Sequence, residues 1–199
     1  KPEISWSRVL MTDIGSIDLP PNMEIQAGEF KKFNDVVRDE MTKYIDFVSN
    51  EPKLVFQPKG LNDLTETSFD KYARVIVQKT NGNPGDYEKL STQFELSDDE
   101  MKDLNDIIEN QHRDGFANTS MKIIQWYPVN IVEINGMTSV KISYTRKIGD
   151  NPAALVEIYR FQNYDNMISL TTSYKISEKN EWYNNLQKAK NSFRITNIK

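Results

Sequence analysis

The chain has no cysteine and a single histidine. Without thiols there are no disulfides, no thiol nucleophile and no cysteine-ligated zinc, and no redox compartment can be read. His112 stands alone, whereas transition-metal centres usually take more imidazole or thiolate than that. It reads as a surface or boundary residue of a helix, near Asp106 and Glu109, rather than as a ligand. A serine triad would need His112 as its base, and no Gly-x-Ser-x-Gly elbow presents a serine to it. The glycines fit neither a phosphate-binding loop nor a dinucleotide fingerprint. Asn81–Asp86 carries oxygen side chains without EF-hand spacing and reads as a loop. No cofactor and no metal are therefore expected.

Charge and hydropathy exclude two further classes. The net charge is −4, with no cluster of basic residues, which argues against nucleic acid as a partner. No apolar run approaches the roughly 18 residues that cross a bilayer, so no transmembrane segment is expected. The chain starts at Lys1 and not at Met, from which we expect that an upstream segment has been removed; an export signal is one such segment.

What the sequence does have is bulky core material. Nine Tyr, nine Phe and three Trp in 199 residues suffice for one substantial core and argue against disorder throughout. The chain is organised around Met121–Thr196. Four strands are predicted there, Met121–Ile134, Met137–Lys147, Ala153–Gln162 and Met167–Ile176. Asn135-Gly136 joins the first two, the strongest short hairpin signal because both residues accept positive φ. A helix over Glu178–Ser192 follows, with Ser177 as N-cap and Trp182, Leu186 and Ala189 on its apolar face, then a short strand over Phe193–Thr196.

The first half is less regular. Ile4–Met11, Ser16–Leu19 and Met23–Gln26 read as short strands, with Pro20-Pro21 confined to an edge or loop. Glu29–Ser49 places Phe33, Val37, Met41, Tyr44 and Val48 at helical spacing, and Pro52 ends that helix. Leu54–Gln57 is a short strand. Tyr72–Lys79 is the best strand of this half, being rich in β-formers. Ser97 and Glu100 form a capping box for a helix reaching about Gly115, and Asp98, Asp99 and Glu100 suit its positive end. The fold class is therefore α+β, an antiparallel sheet of about five to seven strands flanked by helices, in a single domain over 1–199.

Register gives the sharpest expectation. A two-residue turn at Asn135-Gly136 sets Tyr127 opposite Tyr144, Val129 opposite Ile142 and Ile131 opposite Val140. A turn at Tyr164-Asp165 sets Phe161 opposite Ile168 and Tyr159 opposite Leu170. With a tight connection between the second and third strands, Arg146 and Glu157 fall on one apolar face, flanked by Tyr144 and Tyr174. Charges there are costly unless paired. Either Arg146 and Glu157 form a structural ion pair, or Arg146, Glu157, Tyr144 and Tyr174 line a ligand site where the guanidinium could hold a carboxylate or phosphate.

The strands Val156–Arg160 and Ile168–Tyr174, closing on Ser173-Tyr174-Lys175, then Glu178, Trp182 and Ser192-Phe193, resemble the end of PsbP-like domains. The opening Ser16-Ile17-Asp18-Leu19-Pro20-Pro21-Asn22-Met23-Glu24 resembles their first strand and turn. That superfamily includes the P subunit of the photosystem II oxygen-evolving complex, a Ran-binding nuclear import factor and bacterial DcrB-like envelope proteins. The resemblance implies a PsbP-like α/β/α sandwich in a group of binding and accessory proteins mostly without catalysis. It also implies a secreted or periplasmic/envelope location. Binding residues known in the photosynthetic and import members have no counterpart motif in this sequence, and the long Glu29–Ser49 segment departs from the compact pattern. The expectation is a non-catalytic exported binding or accessory module, its partner an unknown protein or small-molecule ligand. The alternative is an uncharacterised hydrolase using converged carboxylates.

Overall fold

Two antiparallel sheets and two helices make up the described part of a computed structural model of the chain, residues 5–28, 31–32, 53–63, 71–90 and 96–199. In chain order the strands are β1 (Ser7–Met11), β2 (Gly15–Leu19), β3 (Met23–Ile25), β4 (Lys53–Pro58), β5 (Ala73–Asn81), β6 (Met121–Ile134), β7 (Met137–Ile148), β8 (Ala154–Gln162), β9 (Asn166–Lys175) and β10 (Arg194–Ile195). Helix α1 (Asp98–Phe116) precedes β6, and α2 (Lys179–Ser192) follows β9 through the 3-10 turn Ile176–Glu178. The helix predicted over Glu29–Ser49 lies outside the described residues, apart from 31–32. The main sheet has seven strands in the order β3-β4-β5-β9-β8-β7-β6, and β1-β2-β10 form a separate three-stranded sheet.

The meander β6–β9 forms as its turn chemistry predicts. Asn135 (φ 53°) and Gly136 (φ 75°) close the first hairpin with Ile134 opposite Met137. Tyr164 (φ 65°) closes the third with Phe161 opposite Ile168 and Tyr159 opposite Leu170. Strand β5 then pairs with β9 along its whole length, Ala73 opposite Tyr174 through Asn81 opposite Asn166, and so carries the first half of the chain into the middle of the sheet.

Two local features depart from the expected register. Strand β6 is bulged between Ile123 and Gln125 and again between Tyr127 and Asn130. Trp126, not Tyr127, therefore opposes Tyr144, and Tyr127 opposes Ser143. Bulges of this kind bend an edge strand and disrupt its ladder. The β7–β8 connection is not a tight two-residue turn either. It passes through Gly149 (φ 52°), with the Asn151 N–H donating to the Ile148 carbonyl (3.0 Å), and it sets Arg146 opposite Ala154 and Ser143 opposite Glu157. A connection of odd length pairs like parities, so every side chain of β8 lies on the face opposite to the one expected relative to β7.

Each face of the sheet has its own core. On one, α2 buries Trp182, Leu186 and Ala189 against Tyr159, Phe161, Ile168, Leu170 and Tyr174, with the small sheet closing that core through Ile17 and Leu19. On the other, α1 packs Ile108 against Val129, Ile142, Tyr144 and Val156. By the same parity Ile142 and Tyr159 lie on opposite faces, Tyr159 beneath α2 and Ile142 beneath α1. The capping box of α1 is complete, the Ser97 N–H donating to Glu100 Oε2 (2.8 Å) and Ser97 Oγ accepting from the Glu100 N–H (3.3 Å). Ser177 does not cap α2. It lies in the 3-10 turn, and Glu178 Oε2 accepts from Trp182 Nε1 (3.0 Å) and from the Tyr72 N–H (3.2 Å).

Candidate functional site

The four residues singled out from the sequence do not converge. Tyr144 and Arg146 lie on the α1 face, in cross-strand rows with Val156 and Ala154. Glu157 and Tyr174 lie on the α2 face, in rows with Thr172 and Leu155. The Arg146–Glu157 pair therefore does not exist. Glu157 instead accepts from Lys141 Nζ (2.7 Å) and Gln187 Nε2 (2.9 Å), and Lys190 Nζ donates to Gln187 Oε1 (2.9 Å). The ammonium groups of Lys141 and Lys190 lie 5.9 and 5.4 Å from the centroid of the Tyr159 ring, and burial pushes the Tyr159 hydroxyl pKa up. This is a satisfied charge network that ties α2 to the sheet.

Arg146 has a different set of neighbours. Two rows at one end of the α1 face run Tyr144–Val156–Ser173–Arg74 and Arg146–Ala154–Lys175. Tyr72 continues the second row, its carbonyl accepting from the Lys175 N–H (3.1 Å). Alternation along β5 aims Tyr72 and Arg74 at this face while Ala73 and Val75 enter the α2 core. Arg146 Nη2 donates to the Tyr72 hydroxyl (2.7 Å), which also lies 3.2 Å from Ser173 Oγ. The guanidinium carbons of Arg74 and Arg146 sit 5.1 and 5.9 Å from the centroid of the Tyr72 ring.

These side chains border a cavity of about 450 Å³, within the range of small-molecule sites. Lys71 and Lys175 also line it but are engaged by Glu181 (2.9 Å) and Glu178 (3.6 Å). Among the described residues no carboxylate pairs with Arg74 or Arg146, and none of those lining the cavity is Asp or Glu. The electrostatics follow. Burial and then the Arg146 charge pull the Arg74 pKa down, although a guanidinium stays protonated. Burial pushes Tyr72 up, but Arg146, the Ser173 hydrogen bond and Arg74 outweigh it, and its hydroxyl ends below the usual phenol range. Burial holds Tyr144 up at about 12. The arrangement offers an oxyanion two guanidiniums beside one aromatic ring.

His112 is buried, not on the helix surface. Its ring lies 5.5 Å from Trp126 and 5.6 Å from Tyr144, with Nδ1 2.8 Å from the Ile108 carbonyl oxygen, and burial lowers its pKa. Beside it, Asn105 Oδ1 accepts from Trp126 Nε1 (2.9 Å) and from the Val129 N–H (3.1 Å) freed by the bulge. Among the described residues no group of His, Asp and Glu side chains could hold a metal ion, and no helix is long and apolar enough to cross a membrane.

Fold and cavity together define an α+β protein with an antiparallel sheet and a cationic cavity at one sheet end. No protein-family model and no curated protein matches the sequence. Solved structures do match. The chain is similar to the solution structure of a cyanobacterial PsbP from Synechocystis sp. PCC 6803, at 13% identity and TM-score 0.53, over 97% of this chain and 94% of that one. The fold is PsbP-like, as the sequence resemblance implied. Lower similarity extends to a Bacteroides thetaiotaomicron protein (7% identity, TM-score 0.49, 96% of this chain, 48% of that one). It extends as well to a Pseudomonas aeruginosa protein of unknown function (7%, 0.45, 96% and 98%).

Proposed function

We propose that this protein is a non-catalytic, exported binding or accessory module whose ligand is an anion seated at Tyr72, Arg74 and Arg146. One observation carries the reading: two half-buried guanidiniums share a cavity wall with no carboxylate of the described residues beside them. Desolvated like charges cost stability unless something compensates them, and an anion between them does so. Arginines suit holding rather than turnover, because they bind oxyanions through fixed forks without exchanging protons. The converged-carboxylate alternative draws no support from a cavity lined by cations. The exported location rests on the PsbP-like resemblance, and confinement to the cytoplasmic fraction of the source cells would contradict it.

Calorimetric titration with inorganic phosphate, acetate and hexanoate tests the binding reading on the full chain and on Arg146→Met. Saturable one-to-one binding of at least one of the three is expected, weakened tenfold or more in the variant, which circular dichroism should show folded. No binding of any of them, or binding equal in the variant, refutes it.

A further inference from the structure

We propose that the ligand is an amphipathic oxyanion, a carboxylate or phosphate head on an apolar body, held head-inward. The inference rests on the anion reading above and adds the class and orientation of the ligand. It comes from the order in which residue types follow one another along the cavity.

Along β7, Arg146 lies inside and Ile148 two residues further out, on the same face and at the strand's end. Ala154 opposes Arg146, and Pro152 leads into β8 on the Ile148 side of that row. In the other direction the face leads from Lys175 to Ser173, which opposes Arg74. The half-buried Arg74, Tyr72 and Arg146 therefore adjoin an apolar wall that runs from the buried Ala154 to the exposed Pro152 and Ile148, with Asn151 and Lys71 also exposed at the rim and Leu61 buried beside them. Ile148 is 37% exposed, the outer member of this series.

Charge and volume agree with that order. The two ammonium groups at the cavity already have carboxylate partners, Glu181 and Glu178, so the uncompensated charge is concentrated on the two guanidiniums at the inner end. A bare oxyanion would meet both of them and leave the apolar wall of Ala154, Pro152 and Ile148, and most of about 450 Å³, in contact with water only. A head at Arg74 and Arg146, with a hydrocarbon body along Ala154, Pro152 and Ile148, meets the cationic and the apolar wall each with its own chemistry. The Tyr72 ring, its centroid 5.1 and 5.9 Å from the guanidinium carbons of Arg74 and Arg146, adds an apolar surface beside the head.

The test is a homologous series, acetate, butyrate and hexanoate, with hexyl phosphate and neutral hexanamide beside it, titrated calorimetrically into the full chain. Burial of each methylene at the usual transfer value corresponds to about fourfold in affinity. We expect affinity to rise by that order per methylene, hexanamide to bind at least tenfold more weakly than hexanoate, and Ile148→Ser to cut the acetate-to-hexanoate gain at least tenfold. Hexanoate against hexyl phosphate identifies the preferred head, and preference for either supports the proposal. A rise below twofold per methylene, or an unchanged gain in Ile148→Ser, overturns the amphipathic ligand while leaving an anion site standing. Hexanamide binding as tightly as hexanoate overturns both.

Discussion

Trp182→Ala removes the largest fully buried side chain of the protein. The indole fills the space between α2 and the face of β8 and β9, and its Nε1 donates to Glu178 Oε2 at 3.0 Å. That carboxylate also accepts from the Tyr72 N–H, so Trp182 joins the α2 core to the strand that carries the cationic cavity. Loss of a buried aromatic costs about 3–5 kcal/mol. With a urea m-value of about 2 kcal/mol per M, the midpoint should fall by roughly 1.5–2.5 M. Trp182→Phe keeps much of the volume and loses mainly the hydrogen bond to the Glu178 carboxylate, about 1.5–3 kcal/mol, so it should fall between the two. Urea titration followed by far-ultraviolet circular dichroism reads both. An unchanged midpoint for Trp182→Ala would refute the packing of α2.

Gly15 lies where β2 meets β10, and a Cβ there would sit 1.7 Å from the Arg194 carbonyl oxygen. Gly15→Ala should cost about 1–3 kcal/mol or more and release amide protection of Arg194 and Ile195 in hydrogen exchange; retained protection would show that the approach is not tight. Glu157→Gln removes the charge that Lys141 meets and should cost about 1–3 kcal/mol, read as a lowered Tm, whereas an unchanged Tm would deny the network a stabilising role. Burial holds His112 neutral, with its folded pKa below the unfolded value near 6.5. Between those two values the unfolded chain binds more protons, so this residue's contribution is complete above about 6.5 and is lost as the pH falls below it. The Tm of the protein should drop between pH 7 and 5.5, and that of His112→Phe should drop less; parallel profiles would exclude His112 as the cause.

Local chemistry was legible and long-range parity was not. Tyr164-Asp165 gave the register of its whole hairpin, and Asn135-Gly136 that of its hairpin only from Ile134–Met137 to Asn130–Lys141, because a turn's own residues determine its length but not the bulges beyond it. The β7–β8 connection gives no such signal: Gly149, Asp150, Asn151 and Pro152 suit several loop lengths, and one residue more or less decides whether Glu157 faces Arg146. The bulges of β6 were hinted at only by Pro128, which cannot donate to a ladder. Arg146 stands out in the sequence as a charge on an otherwise apolar strand face, whereas Tyr72 and Arg74 were not singled out. They reach it through β5–β9 pairing, across about a hundred residues of sequence. A signal did exist, since strand alternation puts Tyr72 and Arg74 on one face of the β-rich stretch Tyr72–Lys79. His112 looked peripheral because its helix is polar, yet Trp126 and Tyr144 cover it from the sheet.

An anion held jointly by Arg74 and Arg146 would perturb both guanidiniums at once. The most direct measurement follows the arginine Nε–H cross-peaks of the nitrogen-15-labelled full chain during titration with hexanoate, assigned through Arg74→Lys and Arg146→Lys. The cross-peaks of Arg74 and Arg146 should shift together and saturate at a single dissociation constant, while those of Arg8 and Arg113, already paired with Asp18 and Glu109, should stay in place. Equal small drifts of all arginines, or no shift at Arg74 and Arg146, would contradict the claim.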